Sequence, residues 1–379
     1  MQSVKILHCA DLHIGALESF LGVSASERRF ETLLTFERII STAKDNGVNI
    51  LLIAGDLFDS NDIEPVFVDR VIEGFCSIPE IKIVYSAGNH DPLNALSPFC
   101  DRKLPENLYI LKTKDSVIEF GGLKTRVYGK SFGEMYLKGE PLFSLTPPDD
   151  DFINIMNIHG ELRSDLNSEY NSITSEFISK SNMDYIALGH IHRRTEIGKI
   201  GNTYCAYCGC PEGQGFDELD EKGVYLGEIS KGKCNLKFIK LCYRMHITES
   251  IDISEYKIAT EISQYILSVL KDKYGEDYGK NLYKIILTGE IDDNVQILTS
   301  EILSRLLSEL YFVKLTDNTE VKIDMQSLTN EKTLRGIFAK KMYEKIESAK
   351  TSEEKDELKY ALNIGLKAFK GEVNLSEDK

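Results

Sequence analysis

The sequence lacks any hydrophobic run long enough to cross a bilayer, which takes about 20 apolar residues. Its apolar runs, such as Ile50–Ala54, are far shorter. A secretion signal is also missing, because His8, Asp11 and His13 interrupt the apolar N-terminal stretch and no small-residue cleavage site follows. These absences predict a cytoplasmic protein. The 42% hydrophobic and 28% charged residues are ordinary for a globular chain.

Basic residues are in deficit. The chain has 45 Lys and Arg against 60 Asp and Glu, which gives a net charge of −15 and a pI of about 5.1. This excludes a protein whose whole surface is basic for nucleic-acid binding. It does not exclude a local site, because cations bound to a carboxylate-rich pocket reverse the charge there.

Eight cysteines are present, but a chain of 379 residues needs no disulfide framework to fold. Five are scattered beside apolar neighbours and are predicted to be small buried hydrophobes: Cys9, Cys76, Cys100, Cys234 and Cys242. The remaining three form the pattern Cys205-x-x-Cys208-x-Cys210, which lacks a distant partner pair. A closed zinc site is therefore not expected there.

The first half of the chain alternates strand and helix patterns, which predicts an α/β layered core. The predicted helices cover residues 26–46 and 65–76, and the predicted buried strands cover 4–8, 48–54, 81–86, 152–158 and 185–188. Ser24 with Glu27 resembles a capping box for the first helix, and Gly47 is its expected end. Short alternating strands within 107–128, and again at 224–228 and 235–241, predict two hairpins.

The pattern changes after about Tyr243. Long amphipathic helices at 255–273, 295–310, 331–349 and 353–369 flank strands at 283–287 and 320–323. We therefore predict a first, larger domain over 1–243, an accessory domain over 244–330 and a C-terminal helical region over 331–379. A polar tail follows Lys370, and no internal repeat is evident.

Six of the seven histidines precede residue 193, and five of those lie in short acidic or glycine-bearing segments. Each segment follows one of the apolar strand runs. In order they are Asp11-Leu12-His13, Gly55-Asp56, Gly88-Asn89-His90-Asp91, His159-Gly160 and Gly189-His190-Ile191-His192. Because ligand sites of open α/β sheets form at the carboxyl ends of strands, these segments are expected to meet at one edge.

The residue types suit divalent metal ions. Carboxylate, imidazole and amide ligands without a thiolate fit Mn²⁺, Fe²⁺ or Zn²⁺. A shared carboxylate holds two ions about 3.5–4 Å apart, a spacing that clamps a phosphate and activates water. Glycines at positions 55, 88, 160 and 189 would let the backbone turn sharply and approach the ions.

Each segment taken alone has a structural explanation. A Gly-Asp pair is usually a turn, Asn-His-Asp can cap a helix, and a single His159 is more often a hydrogen-bonded core histidine. The five segments together, in this order and each after a strand, favour a shared metal site. His8 differs because it lies on the first strand itself, so we predict a structural role for it.

The ordered set DLH, GD, GNHD, H and GHIH resembles the signature of calcineurin-like metallophosphoesterases, over residues 4–192. The resemblance implies an αββα sandwich with a smaller C-terminal α+β capping domain. It implies that one ion is held by Asp11, His13, Asp56 and His192, and the second by Asp56, Asn89, His159 and His190. It also implies that His90 is the general acid that protonates the leaving oxygen, with the neighbouring Asp91 orienting its imidazole.

Within this superfamily the chain resembles SbcD-type DNA repair exonucleases. The segments that carry the similarity are residues 5–15 (KILHCADLHIG), 51–59 (LLIAGDLFD), 207–218 (YCGCPEGQGFDE) and 333–338 (TLRGIF). The resemblance implies a manganese-dependent DNA exonuclease, with endonuclease activity as a further option, acting in repair or recombination. It also implies a homodimer and an ABC-type coiled-coil ATPase partner of the SbcC kind.

The sequence departs from that pattern in two places. Asp59 stands where some relatives have a second histidine, and Cys208 and Cys210 flank Gly209 where the family often has Pro-Gly-Ser. Arg193 and Arg194 follow the last predicted ligand and are either phosphate contacts or part of a solvated loop.

Two rival functions stay open. One is a phosphodiesterase or phosphatase for small molecules, and the other is a non-catalytic DNA-repair scaffold. The apolar stripes of the last two predicted helices are either ordinary core or a partner docking site. With this charge, we expect DNA binding by the subunit alone to be weak and salt-sensitive.

Overall fold

The computed structural model describes residues 2–137, 146–164, 168–219, 221–292, 295–322 and 328–369. The chain divides into two compact units, Met1–Met245 and His246–Lys379. The division into three functional parts stays a prediction. Within the described ranges, no helix is long and apolar enough to span a membrane.

The first unit contains three helices and fourteen strands within the described residues. The helices are α1 (Ala25–Asp45), α2 (Pro65–Cys76) and α3 (Ser175–Lys180). The strands are β1 (Ser3–Cys9), β2 (Ile50–Ala54), β3 (Lys82–Ser86), β4 (Leu108–Ile110), β5 (Ser116–Phe120), β6 (Thr125–Lys130), β7 (Ile153–His159), β8 (Glu161–Arg163), β9 (Ser172–Thr174), β10 (Tyr185–Gly189), β11 (Gly198–Ile200), β12 (Thr203–Tyr207), β13 (Gly223–Ser230) and β14 (Lys233–Lys240).

Twelve of these strands form two mixed sheets. The first has the order β14-β13-β1-β2-β3-β4, and β1 to β4 run parallel in it. The second has the order β11-β12-β10-β7-β6-β5, with β6, β7, β10 and β12 parallel. The antiparallel pairs β5–β6 and β13–β14 are the two hairpins that the turn patterns predict.

Alternating side chains of the buried strands pack on opposite sides of the first sheet. Leu51 and Ile53 contact the core that includes Phe36 of α1 and Phe75 of α2. Ile50 and Leu52 point the other way, into a second core with residues of β6, β7 and β10. A third core joins the far side of the second sheet to α3. Burial on both faces explains the continuous apolar runs, and the predicted αββα sandwich is confirmed.

Helix boundaries follow local chemistry, with one correction. Helix α2 has its predicted bounds, with Pro65 in its first turn, where a missing N–H costs nothing. Gly47, at φ 59°, follows the end of α1. The capping box at Ser24 is wrong: its side chain makes no capping hydrogen bond, because a 3₁₀ turn over Ser19–Ser24 leads directly into α1.

The second unit is α+β. Its elements are β15 (His246–Asp252), α4 (Ala259–Tyr274), β16 (Leu282–Thr288), β17 (Glu290–Asp292), α5 (Thr299–Leu306), β18 (Phe312–Asp317), β19 (Glu320–Lys322), α6 (Leu334–Ser348) and α7 (Ser352–Phe369). Strands β15, β16 and β18 form a parallel sheet. The predicted helix at 295–310 is shorter than expected. Residue 323 and the tail beyond Phe369 lie outside the described residues.

The apolar stripes of α6 and α7 belong mainly to a core. Ile346, Leu362 and Leu366 are buried, and Phe338 and Met342 pack against them. Leu334 and Ile337 instead stay exposed, by 73% and 54%. These stripes are therefore largely ordinary core, and only the exposed residues remain available for docking.

Arg28 is the most deeply buried arginine of the first unit among the described residues. Its guanidinium, 1% exposed, lies 2.8 Å from Glu18, 3.0 Å from Glu31 and 2.7 Å from Glu212. The Glu212 carboxylate also accepts hydrogen bonds from the backbone of Tyr243 and Arg244. This network joins α1 to the end of the unit.

We predict that Arg28→Met lowers the free energy of unfolding by about 3–5 kcal/mol, because three buried carboxylates lose a cationic partner, although Glu31 keeps Arg244. The control is Arg70→Met, which breaks an ion pair with Glu37 in which both side chains are at least 43% exposed. It should cost less than about 1 kcal/mol. Urea unfolding measures both variants, and equal losses would contradict the proposed weight of the buried network.

His8 is buried between the two sheets. Its Nδ1 lies 2.9 Å from the Tyr185 hydroxyl and its Nε2 lies 3.2 Å from the Leu188 carbonyl. A neutral imidazole satisfies both partners, by accepting at Nδ1 and donating at Nε2. Burial lowers the His8 pKa to about 3, although the Leu188 carbonyl opposes the shift. The predicted structural role fits this environment.

His8 should make the fold acid-sensitive. Its folded pKa lies below the ordinary value of 6.5, so the unfolded state binds more protons in acid. The stabilisation is complete above pH 6.5 and is lost as the pH falls toward 3. Between about pH 7 and about pH 4.5 we expect His8 to account for roughly 2–3 kcal/mol of lost stability. Urea unfolding with a chelator present should show a weaker pH dependence for His8→Gln; identical pH dependence would contradict this assignment.

Candidate metal centre

The carboxyl ends of five strands meet at one edge of the sandwich. Strands β1, β2 and β3 of the first sheet, and β7 and β10 of the second, lead into the five predicted segments. The Asn157 side chain joins the sheets there, since its Nδ2 donates to the carbonyls of Ile53 and Val84. The predicted convergence at one edge is therefore what the fold produces.

The backbone at the site is unusual. Asp11, His13, Asp56 and His190 have positive φ angles of 52°, 42°, 48° and 103°. Non-glycine residues seldom adopt this region, and Asp and His do so more readily than most. Backbone hydrogen bonds hold the first turn in place, from Asp11 N to Gly55 O and from His13 N to Asp56 O, both at 3.0 Å. Such conformations are concentrated at functional sites.

Two glycines allow the close packing behind the site. A Cβ on Gly55, whose φ is 96°, would lie 2.1 Å from His159 Nδ1. A Cβ on Gly88 would lie 2.1 Å from a carboxylate oxygen of Asp56. The backbone at both glycines therefore lies too close to a predicted ligand side chain to leave room for a Cβ atom, as expected from the sequence.

One half of the site is formed by Asp11, His13 and His192. Each offers a ligand atom, and these atoms lie within 4.8 Å of one another. The closest pair is His13 Nε2 and His192 Nε2, 3.1 Å apart. Asp11 also accepts the backbone N–H of His190, at 2.8 Å, so its carboxylate is fixed by the opposite sheet.

The other half contains Asp56, Asn89, His159 and His190. His159 Nε2 lies 2.9 Å from Asn89 Oδ1 and 3.2 Å from Asp56 Oδ2. His190 Nδ1 lies 3.3 Å from the same Asn89 oxygen. Asp56 Oδ2 is also 3.8 Å from His13 Nε2, so this carboxylate lies between the two halves. The structure therefore brings together all seven residues that were predicted as ligands.

The electrostatics of the pocket favour bound cations. Burial raises the pKa of Asp11, the dominant effect on that carboxyl group. Burial alone would lower the pKa of His159, but the carboxylates of Asp56 and Asp11 outweigh it and raise the value to about 9. Burial lowers the His190 pKa to about 4. The anionic oxygens thus favour positive charge in the pocket. Bound divalent ions would supply that charge in place of protons.

The ligand chemistry fits such ions. The donors are carboxylate, imidazole and amide groups, which suit borderline-hard divalent metals. Asp11, Asp56 and His159 also form a compact group whose ligand atoms lie within 4.8 Å. The two groups overlap at Asp11, and Asp56 contacts both His13 and His159, an arrangement that suits a pair of ions.

His90 and Asp91 occupy different environments. The His90 ring is exposed and lies 4.6 Å from the His13 ring, and its Nδ1 is 3.0 Å from the carbonyl of Asp59. Asp91 is buried, and its carboxylate accepts four hydrogen bonds. Three come from backbone N–H groups, those of Leu57 at 2.7 Å, Phe58 at 3.0 Å and Gly88 at 2.8 Å, and the fourth comes from the Tyr85 hydroxyl at 2.6 Å. Asp91 therefore orders the loops beneath the site. The Asp59 carbonyl holds the His90 ring, and a role for Asp91 in orienting that ring stays a prediction.

Sequence reasoning missed Glu218 as a site residue. Its carboxylate forms a short hydrogen bond with His192 Nδ1. Burial alone would raise the Glu218 pKa, but the bond to His192 lowers it to about 2, so the group stays anionic. It belongs to the quoted segment 207–218, and no spacing signal singled it out.

The cysteines and arginines after the last ligand are mostly engaged in packing. Cys205, Cys208 and Cys210 are free, buried thiols, and burial raises the pKa of each, which disfavours metal-binding thiolates. Cys210 Sγ lies 3.4 Å from Glu218 Oε2. The Arg194 guanidinium lies 4.4 Å from the Phe238 ring centroid and 3.0 Å from Glu196. Arg193 is exposed, beside His192.

Comparison with known proteins finds several relatives of low identity. The chain is 26% identical over 282 residues to the uncharacterized metallophosphoesterase YhaO of Bacillus subtilis (strain 168), which covers 70% of this chain and 67% of that protein. It is 26% identical to the DNA double-strand break repair protein Mre11 of Methanopyrus kandleri, over 59% of this chain and 52% of that protein. It is 25% identical to the D subunit of the nuclease SbcCD of Escherichia coli (strain K12), over 61% of this chain and 66% of that protein.

A solved structure, TT1561 of Thermus thermophilus, gives a TM-score of 0.36 at 11% identity, over 61% of this chain and 99% of that one. That similarity is too remote to add to the fold argument. The family model for calcineurin-like phosphoesterases, by contrast, matches residues 4–194, just over half of the chain. The matched region contains every ligand of the pocket, and the chain therefore belongs to the calcineurin-like phosphoesterase family, a superfamily of metal-dependent hydrolases.

Proposed function

We propose that this protein is a two-metal DNA exonuclease acting in DNA repair or recombination, with endonuclease activity as a further option. The observation that carries the proposal is the meeting in one pocket of seven predicted ligand side chains from both sheets. Contacts of 3.8 Å or less link them, and Asp56 contacts both His13 and His159. Belonging to a phosphoesterase family supports hydrolysis of a phosphoester.

In this proposal Asp11, His13 and His192 hold one ion, Asn89, His159 and His190 hold the second, and Asp56 is shared. When bound, the pair of divalent ions, which we propose to be Mn²⁺, would neutralise phosphate charge and lower the pKa of an attacking water. The protein's part is to fix the ligand oxygens and nitrogens and to orient the phosphate. The positive-φ backbone and the interlocking hydrogen bonds provide that rigidity.

His90 is the proposed general acid. It is exposed at the edge of the pocket, and its ring lies beside that of the ligand His13. The Asp59 carbonyl holds Nδ1, which leaves Nε2 to deliver a proton to a leaving oxygen. In a DNA strand that oxygen belongs to a deoxyribose.

DNA is the proposed substrate on two grounds. Two of the relatives above are named as a break-repair protein and as a nuclease subunit. The segments 5–15, 51–59, 207–218 and 333–338 resemble those of SbcD-type nucleases. Exposed Arg193, next to His192, is available to meet a phosphate oxygen.

The proposed partners follow from the same resemblance. We infer a homodimer and an ABC-type coiled-coil ATPase of the SbcC kind, in the cytoplasm. The exposed Leu334 and Ile337 on α6 support an apolar docking surface for a partner helix. A partner that grips DNA would offset the acidic charge of this chain.

The first test is cleavage of an end-labelled linear duplex with Mn²⁺. We expect shortening of the duplex with Mn²⁺ and none with EDTA, because the ligands without ions cannot activate water. The same preparation is assayed on bis(4-nitrophenyl) phosphate. If that diester is hydrolysed and the DNA is left uncut, a small-molecule phosphodiesterase would be favoured. Two bound ions without hydrolysis of either substrate would favour a non-catalytic scaffold.

The second test is His90→Ala. We expect metal binding to persist and the rate of DNA cleavage to fall about 10²–10⁴-fold, because the leaving oxygen loses its proton donor. Isothermal titration with Mn²⁺ and single-turnover cleavage measure the two properties. His192→Ala is the comparison variant, which should lose both. Cleavage by His90→Ala at the wild-type rate would exclude this role.

A further inference from the structure

Two anionic side chains lie directly behind the two histidines of one half-site. His13 Nδ1 is 3.2 Å from Asp59 Oδ1, and His192 Nδ1 forms a short hydrogen bond with Glu218 Oε1. The opposite nitrogens, His13 Nε2 and His192 Nε2, lie 3.1 Å apart. The two imidazole rings thus face each other across a gap, and each has a carboxylate on its far side.

The chemistry of imidazole makes this arrangement specific. A neutral imidazole has one N–H, and a carboxylate accepts it, so each ring presents its proton at Nδ1. In that neutral state both Nε2 atoms carry lone pairs 3.1 Å apart, and they repel each other unless a proton or a metal cation lies between them. The carboxylates make both nitrogens better electron donors.

In the other half-site, the nearest hydrogen-bond partners of the histidines' Nδ1 atoms are neutral groups. His159 Nδ1 is 2.9 Å from the carbonyl of Ala54, and the Asp11 carboxylate, itself a predicted ligand, lies farther away at 3.7 Å. His190 Nδ1 is 3.3 Å from the amide oxygen of Asn89. The two halves therefore differ in the charge of the group that is hydrogen-bonded to each Nδ1 atom.

We propose that Asp59 and Glu218 are positioning residues that hold His13 and His192 with Nε2 toward the ion, and that they make this half-site the tighter of the two metal positions. The inference rests on the proposed two-metal centre. It assigns a positioning role to Asp59, which stands where some relatives have histidine. It assigns the same role to Glu218, which lies outside residues 4–194, the region that the family model matches.

The Glu218 carboxylate is fixed by a contact of its own. Glu218 Oε2 accepts the Gln214 backbone N–H at 2.8 Å, so Oε1 is left for His192. Lys222 Nζ lies 3.1 Å from the His192 carbonyl, which holds the same loop. For Asp59 it is the backbone that is anchored, by its N–H to the Ile14 carbonyl at 3.2 Å. Glu218 can therefore impose an orientation on the His192 ring, and Asp59 is held beside the His13 ring.

The test is isothermal titration of the full chain with Mn²⁺, comparing wild type, Asp59→Asn and Glu218→Gln. We expect wild type to show two binding events. Each variant should weaken the tighter event by about 10- to 100-fold and leave the weaker one unchanged. The control is Glu196→Gln, which removes one negative charge from an 89% exposed side chain paired with Arg194. It should leave both events unchanged.

The outcomes separate this inference from the proposed function. If wild type binds no ion, the metal centre itself fails. If wild type binds two ions and both variants keep the tighter event, or lose the weaker one instead, only the positioning role fails. Thermal melting with EDTA checks that Glu218→Gln, which changes a half-buried group, still folds. Asp59→Asn keeps the inference testable if it does not.

A second readout is the tautomer. A long-range ¹H–¹⁵N spectrum of the protein loaded with diamagnetic Zn²⁺ should show His13 and His192 protonated at Nδ1 and bound through Nε2. In Glu218→Gln the His192 signals should move or broaden while those of His159 stay in place. Protonation of either ring at Nε2 in the loaded wild type would overturn the proposal.

Discussion

The candidate metal centre depends on one close approach, in which His13 from the first sheet and His192 from the second direct imidazole nitrogens at each other across 3.1 Å. Their positions are set by β1 and β10, by the backbone N–H of His190 on the Asp11 carboxylate, and by hydrogen bonds that join the loops after β1 and β2. Two unprotonated nitrogens repel each other at this distance unless a cation lies between them. A bound divalent cation should therefore stabilise the first unit as well as equip it for hydrolysis.

The sequence predicted the sandwich because burial on both faces leaves a clear pattern. Strands such as Ile50–Ala54 have no polar position, since one set of side chains faces α1 and α2 and the other faces the second sheet. Ligand residues come immediately after such runs, so their convergence follows from parallel pairing alone. Helix α2 was predicted to the residue because Pro65 marks its start.

What the sequence could not predict is the direction of side chains in the loops. Asp91 stands next to His90 along the chain, yet its carboxylate turns inward to three backbone N–H groups and the Tyr85 hydroxyl. Asp59 and Glu218 are distant from the histidines they touch, by 46 and 26 residues, and neither spacing follows a helical or strand period. Ser24 failed as a cap because the preceding turn was already helical, which no residue near it signals.

The acidic character of the chain bears on how DNA would be recognised. With a net charge of −15, the surface as a whole repels a polyanion, and the pocket without ions adds Asp11, Asp56, Asp59 and Glu218 to that repulsion. Two divalent ions would supply four positive charges at this point and reverse its sign locally. Attraction to a phosphate would then be concentrated at the ions, so a phosphodiester would be drawn to the reactive position rather than to the surface in general. An acidic chain can in this way confine DNA contact to the metal centre and leave the wider grip to a partner.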